Sequence, residues 1–262
     1  MTKTAYYFKE VTVLITHYNR SGSLERLLSA FGRENCKFGD VVVSDDASKP
    51  EHLEKIKDLQ KNYHFRLITT EKNGGLGNNI NKGQDAVTTP YTLYVQEDFI
   101  PTEEFAVNFQ KGFEIIKEKP ELDIVRFYAY FKYPYLKPLR NGFSEMIFKP
   151  WHPGYMKFYY YSDHPHLRRS NFLKKFGRYA EGVNSDKTEY RMCISFIQKK
   201  GKGLFCDEFK TVFLQVNPPE EPSTASHRIS WRTQNSAFVL LLRALYLQAK
   251  FIKCHVDLVF LK

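Results

Sequence analysis

The chain has 262 residues, of which 42% are hydrophobic, 26% charged and 16% aromatic, a balance that excludes a disordered, collagen-like or disulfide-stapled protein and suits one α/β unit with an appendage. Its four cysteines, at 36, 193, 206 and 254, show no Cys-x-x-Cys spacing and read as free thiols of a reducing cytosol. The net charge of +10 lies wholly beyond residue 100, where 26 basic residues face 16 acidic ones, so the second half is expected to meet something anionic or polar.

That charge comes with no zinc-finger, RNP-like or basic-region pattern, so no nucleic-acid partner is expected. The first 20 residues hold no apolar stretch before a small-residue cleavage site, and no run of about 18 residues escapes charge. Neither a signal peptide nor a spanning helix is expected, and the sequence places the protein in the cytoplasm.

In chain order, a β-branched run at residues 11–16 precedes helical spacing from Ser23. The unit recurs with 41–44 before 52–62, 65–69 before 75–87, and 91–95 before 102–119. Four β-α units with nearly unbroken apolar strands predict a parallel sheet with helices on both faces, whose ligand crevice lies beyond the carboxyl ends of the strands. Residues 124–135 then predict a longer aromatic strand inside a basic block, since 124–178 holds 11 Lys or Arg against only Glu145 and Asp163. A helix near Ser170, another over 188–200, a strand pair within 204–216 and a long apolar helix over 231–262 complete the reading.

Four segments would converge at the strand ends: Thr16-His17-Tyr18-Asn19-Arg20, Ser44-Asp45-Asp46, a glycine loop around Gly74-Gly75-Leu76-Gly77-Asn78, and Gln96-Glu97-Asp98. Glycines let backbone approach a ligand at a helix N-terminus, and carboxylates can hold a hard divalent cation against a diphosphate. The alternative for Glu97 and Asp98 is that they cap the following helix.

At these residues the chain resembles the family-2 inverting glycosyltransferases of the GT-A fold, through VTVLITHYNR at 11–20, VVVSDDAS at 41–48, EKNGGLGNNINKG at 71–83 and YVQEDFIP at 94–101. The resemblance implies an α/β, Rossmann-like and mainly parallel sheet flanked by helices, to which the spacing of the tail adds a C-terminal amphipathic helix. It implies a nucleotide-sugar half over 1–122, an acceptor half over 123–232 and a helical tail over 233–262. It further implies transfer of a sugar from a nucleotide-diphosphate donor, a UDP-sugar, to a saccharide or lipid-linked saccharide in surface polysaccharide synthesis.

Carried over by position, the nucleotide pocket would include Thr16, Tyr18, Arg20, Asp45, Asp46, Gly75, Asn78, Gln96 and Glu97, with Asp45 on the base. Asp98 would hold Mn²⁺ or Mg²⁺ with His227, although Gln96 replaces the first acid of the family's Asp-x-Asp motif and a metal-independent variant stays open. Arg228 and Arg232 would meet the diphosphate. Glu189 matches the general base, with Asp186 as its rival. A non-catalytic sugar-binding protein on the same fold remains the alternative function. In the aromatic block, Trp151, His152 and Tyr161 are expected at the acceptor, and Phe127, Tyr130, Phe158 and Tyr160 in the core; His164 and His166 suit either a position near the substrates or a plain turn. The tail combines apolar residues at helical intervals with Arg243, Lys250 and Lys253. It would lie on the inner face of an anionic membrane as a peripheral anchor, or pack on the catalytic unit or a second subunit.

Overall fold

The computed structural model describes residues 4–222 and 237–261. Strand β1 (Tyr6–His17) lies inside the parallel part of the sheet, paired in parallel with β2 (Cys36–Asp45) on one side and β4 (Tyr91–Gln96) on the other, while β3 (Arg66–Ile68) extends β2 in parallel. Val11, Val13, Leu14 and Ile15 are fully buried, because helices cover both faces, and this is why the strand reads as an unbroken apolar run. On one face lie α1 (Ser21–Arg33), α2 (Pro50–Leu59) and α4 (Phe105–Glu118), which supply Leu24, Leu27, Ile56, Phe105 and Phe109 to one core. On the other lie α3 (Gly75–Asp85), α5 (Phe172–Phe176) and α6 (Ser185–Gln198), whose Ile80, Phe172 and Phe196 belong to a second core.

Beyond β4 the sheet becomes mixed. Its order is β3-β2-β1-β4-β9-β6-β10-β8-β7, with β9 (His166–Arg169) antiparallel to both β4 and β6 (Ile124–Arg126). The expected strand over 124–135 ends at Arg126, because the Phe127 amide turns to the Pro165 carbonyl at 3.1 Å and the following residues leave the ladder to form a wall of the site. The expected pair within 204–216 is two strands in different sheets. β10 (Gly203–Cys206) lies between β6 and β8, whereas β11 (Phe213–Gln215) pairs with β5 (Phe99–Pro101), a strand that the helical reading of the following segment obscured. The hairpin of β7 (Leu136–Arg140) and β8 (Phe143–Met146) turns on Asn141 and Gly142, both at positive φ.

Helix α7 (Ala237–Phe260) sets Cys254, Phe251 and Leu258 against the second core. Leu241, Leu245 and Ile252 stay exposed. No described helix is long and apolar enough to cross a membrane.

The site depends on how closely α3 approaches its neighbours. A Cβ at Gly77 would stand 2.2 Å from the Ala180 carbonyl oxygen, whereas one at Gly32 in α1 would meet nothing within 4 Å. Gly77→Ala should therefore cost about 1–3 kcal/mol of unfolding free energy, and Gly32→Ala should be neutral or stabilising by up to about 1 kcal/mol. Denaturant midpoints compare the two directly, and an unchanged midpoint for Gly77→Ala would contradict the close approach.

Candidate active site

The carboxyl ends of β1, β2 and β4 lie side by side, with His17 opposite Asp45 and Thr16 opposite both Ser44 and Gln96. Above them opens a crevice of about 450 Å³ bordered by Thr16, His17, Tyr18, Arg20, Asp46, Gly75, Leu76, Gln96, Glu97 and Asp98. The four sequence segments therefore do meet on one sheet edge.

The two aspartates after β2 differ in position. Asp45 is fully buried below the crevice: it receives His17 Nδ1 at 2.8 Å, Ser48 Oγ at 2.5 Å and the Ser48 amide at 3.0 Å. Burial alone would raise its pKa, yet these hydrogen bonds hold it below the ordinary value. Asp46, not Asp45, borders the crevice, and it accepts the Gly74 and Gly75 amides at 2.8 and 2.9 Å, which fixes the glycine loop. Asn78 faces away toward Glu181 at 2.9 Å, and Asn79 borders the crevice in its stead.

Arg20 is buried at 5% exposure. It lies 3.5 Å from Glu97 and 3.6 Å from Asp98, and it donates to Asn217 Oδ1 at 2.7 Å and to the Glu221 carbonyl at 3.2 Å. Glu221 in turn accepts the Gly22 and Ser23 amides, both at 2.7 Å, at the start of α1. Burial pushes Glu97 up to about 7, partly offset by His17 and Arg20. Glu97 and Asp98 sit in the turn between β4 and β5, well before α4, so neither caps that helix. Asp98 Oδ2 accepts Gln215 Nε2 at 2.9 Å, whereas its Oδ1 is buried with no hydrogen-bond partner. One orphaned carboxylate oxygen in a polar crevice fits a hard cation. Among the described residues no cluster of three or more His, Cys, Asp or Glu is set to hold a metal, so protein ligation would rest on Asp98. His227, Arg228 and Arg232 lie outside the described residues.

A second lobe of about 670 Å³ opens beside the crevice, walled by Tyr133, Tyr155, Tyr159, Lys132, Lys187 and Lys250. Glu189, Asp186, His164 and Tyr130 border both lobes. Glu189 Oε1 accepts Ser162 Oγ at 2.9 Å and the Asp163 amide at 3.3 Å. Asp163 is driven well above the ordinary carboxyl range by burial and by the neighbouring Glu189 charge. Asp186 is exposed on the first turn of α6, which starts three residues before the helix expected over 188–200. Thr188 is buried and donates to the Ala180 carbonyl at 2.8 Å, tying α6 to the α3 side of the crevice.

Of the aromatic residues expected at the acceptor, none borders either lobe. Trp151 is 76% exposed on an outer loop, His152 packs its ring against that of Tyr135 with centroids 4.0 Å apart, and Tyr161 is buried with its hydroxyl 2.5 Å from that of Tyr179. Tyr130 stands out of the core at 52% exposure and lines both lobes instead, while Phe127, Phe158 and Tyr160 are buried. His166 is a buried residue of β9, and His164 is pushed down to about 3 by burial and by Arg126. His17, Gln215, Asn217 and Glu221 had no sequence signal, for their partners lie far away in the chain.

The family model described as glycosyl transferase family 2 matches residues 12–177. A poly-beta-1,6-N-acetyl-D-glucosamine synthase of Staphylococcus epidermidis is 24% identical over 115 residues, 44% of this chain and 27% of that protein. Among solved structures, residues 1–349 of S. aureus TarS align with a TM-score of 0.58 at 16% identity, over 78% of this chain and 59% of that one. The same fragment in complex with UDP-GlcNAc gives 0.60 at 16% identity, over 82% and 61%. Its complex with UDP gives 0.57 at 16% identity, over 79% and 61%. At that identity the likeness shows the fold. The chain spans about three fifths of the TarS fragment and about a quarter of the synthase.

The two aspartates should separate by experiment. Asp45→Ala removes the carboxylate that His17 Nδ1, the Ser48 hydroxyl and the Ser48 amide share inside the protein and should cost about 2–3 kcal/mol of stability. Because the folded pKa is depressed, that contribution is present above about pH 4 and is lost as the pH falls through the lower folded value. Asp46→Ala should instead weaken nucleotide binding about tenfold by releasing the glycine loop. Unfolding curves and calorimetry check the pair, and an Asp45→Ala protein of undiminished stability would contradict the assignment.

Proposed function

Because the chain belongs to glycosyl transferase family 2, we propose that it transfers a sugar, with inversion, from a nucleotide-diphosphate donor to a saccharide or lipid-linked saccharide, in the synthesis of a surface polysaccharide. The observation that carries this reading is Glu189 at the waist shared by two lobes, one suited to a donor and one to an acceptor. A UDP-sugar is the proposed donor, supported by the neighbouring structures bound to UDP-GlcNAc and UDP.

In this mechanism the nucleotide lies between Thr16, Asp46 and Leu76, and its diphosphate reaches toward Arg20 and Asp98. Ser162 and the Asp163 amide hold one oxygen of Glu189, leaving the other to the acceptor. As the acceptor oxygen attacks the anomeric carbon, Glu189 takes its proton, and the bond to the diphosphate breaks with its electron pair on the leaving oxygen. Asp98 would hold Mn²⁺ or Mg²⁺, with Gln96 and Glu97 beside it, and such a cation supplies counter-charge to the leaving diphosphate. Glu189 is preferred to Asp186 because it is partly buried and oriented by two donors, whereas Asp186 stands exposed at the rim. The exposed Leu241, Leu245 and Ile252 of α7, together with Lys253, support a peripheral position on the cytoplasmic face of an anionic membrane.

Glu189→Gln should lower the rate of UDP release from a UDP-sugar in the presence of acceptor by about 10²- to 10⁴-fold with donor affinity unchanged. Full activity in that variant and loss in Asp186→Asn would move the base to Asp186. For the membrane position, flotation with anionic vesicles should be lost in Leu241→Glu/Leu245→Glu, and equal flotation of both proteins would contradict it.

A further inference from the structure

The basic block raises the question of which of its charges face the acceptor. Lys157, Arg168, Arg169, Lys175 and Arg178 all bond to carbonyls or side chains within the fold, so sequence charge overstates what the lobe offers. Arg126 differs. It ends β6 in the wall of the acceptor lobe at 5% exposure. Its Nη1 donates to the Tyr159 carbonyl at 2.9 Å, but its Nε is buried with no hydrogen-bond partner, and no described carboxylate forms an ion pair with it. A buried guanidinium left this way is costly unless an anion completes it. The same lobe is bordered by exposed Lys132 and Lys187, and by Lys250, whose Nζ donates to the Tyr159 hydroxyl at 2.9 Å. Tyr159 thereby bonds two cations of the lobe wall, Arg126 through its carbonyl and Lys250 through its hydroxyl.

We infer that the acceptor carries a phosphate or phosphodiester, seated on Arg126 and ringed by Lys132, Lys187 and Lys250, beside the hydroxyl that Glu189 deprotonates. This rests on the glycosyltransferase reading and narrows its acceptor class. A planar guanidinium presents paired donors to such an oxyanion, and the lysines add charge without fixing its orientation. The phosphate can belong to a soluble saccharide or to a lipid carrier, since both offer the same chemistry to the lobe.

The test is calorimetric titration with glucose and with glucose 6-phosphate in the presence of saturating UDP, so that the donor crevice is filled, together with flotation on phosphatidylcholine vesicles with and without phosphatidic acid. UDP binding is measured first. Its failure would overturn the donor reading alone, because the variants still locate any phosphate preference in the acceptor lobe. The wild type should bind glucose 6-phosphate about tenfold more tightly than glucose, and Arg126→Gln and Lys132→Ala/Lys187→Ala should each erase that preference while UDP affinity stays unchanged. The lysine pair is exposed, so that variant keeps the test valid if Arg126→Gln does not fold. Phosphatidic-acid-dependent flotation that these variants abolish, with no preference between the sugars, would support the proposal and assign the phosphate to a lipid. No preference in either arm, or a preference that the variants leave intact, would overturn it.

Discussion

The Arg20 guanidinium is buried at 5% exposure, and a charge there is tolerable only because Glu97, Asp98, Asn217 and the Glu221 carbonyl surround it. That constraint organises the crevice. It draws the turn after β4 toward the end of β1, and it pulls the segment that follows β11 across the top of α1, where Glu221 satisfies the first free amides of the helix. Residues about 200 positions apart thus share one charge-balanced cluster. Burial raises the Glu97 pKa to about 7, and the closeness of Arg20 offsets part of that rise.

A second, smaller network stands beside it. Asp45 orients His17, and the other ring nitrogen of His17 accepts the Arg20 amide at 3.1 Å, so the buried aspartate supports the turn that carries Arg20. Asp46 in the same motif holds the glycine loop from the opposite side. Two adjacent carboxylates therefore fix the two banks of the crevice, one from beneath and one from its wall. Across the waist, Ser162 and the Asp163 amide orient Glu189, so this carboxylate is held by a hydroxyl and a backbone amide rather than by long exposed side chains.

The parallel half of the fold was legible because strands buried on both faces must be continuously apolar, and their ends carry the polar motifs. The same logic could not separate Asp45 from Asp46, since successive residues leaving a strand point in different directions according to a local turn, here one with Ala47 at φ 59°. The second lobe was less legible. Residues 127–135 are as aromatic as a strand, yet the chain leaves the sheet at Phe127, and the wall is formed by Tyr130, Tyr133, Tyr155 and Tyr159 rather than by Trp151, His152 and Tyr161. Asn141-Gly142 carries a local hairpin signal that the strand reading of this block overlooks. Gln215, Asn217 and Glu221 carried none, because only tertiary contact gives them their partners.

The most direct measurement is a crystal structure of the protein with a bound UDP-sugar. The account predicts the uracil and ribose between Thr16, Asp46 and Leu76, the diphosphate beside Arg20 and Asp98, and the sugar turned toward Glu189 with its anomeric carbon open to the lobe of Tyr133 and Tyr159. A nucleotide seated in that lobe instead, or a sugar whose anomeric carbon faces away from Glu189, would contradict it.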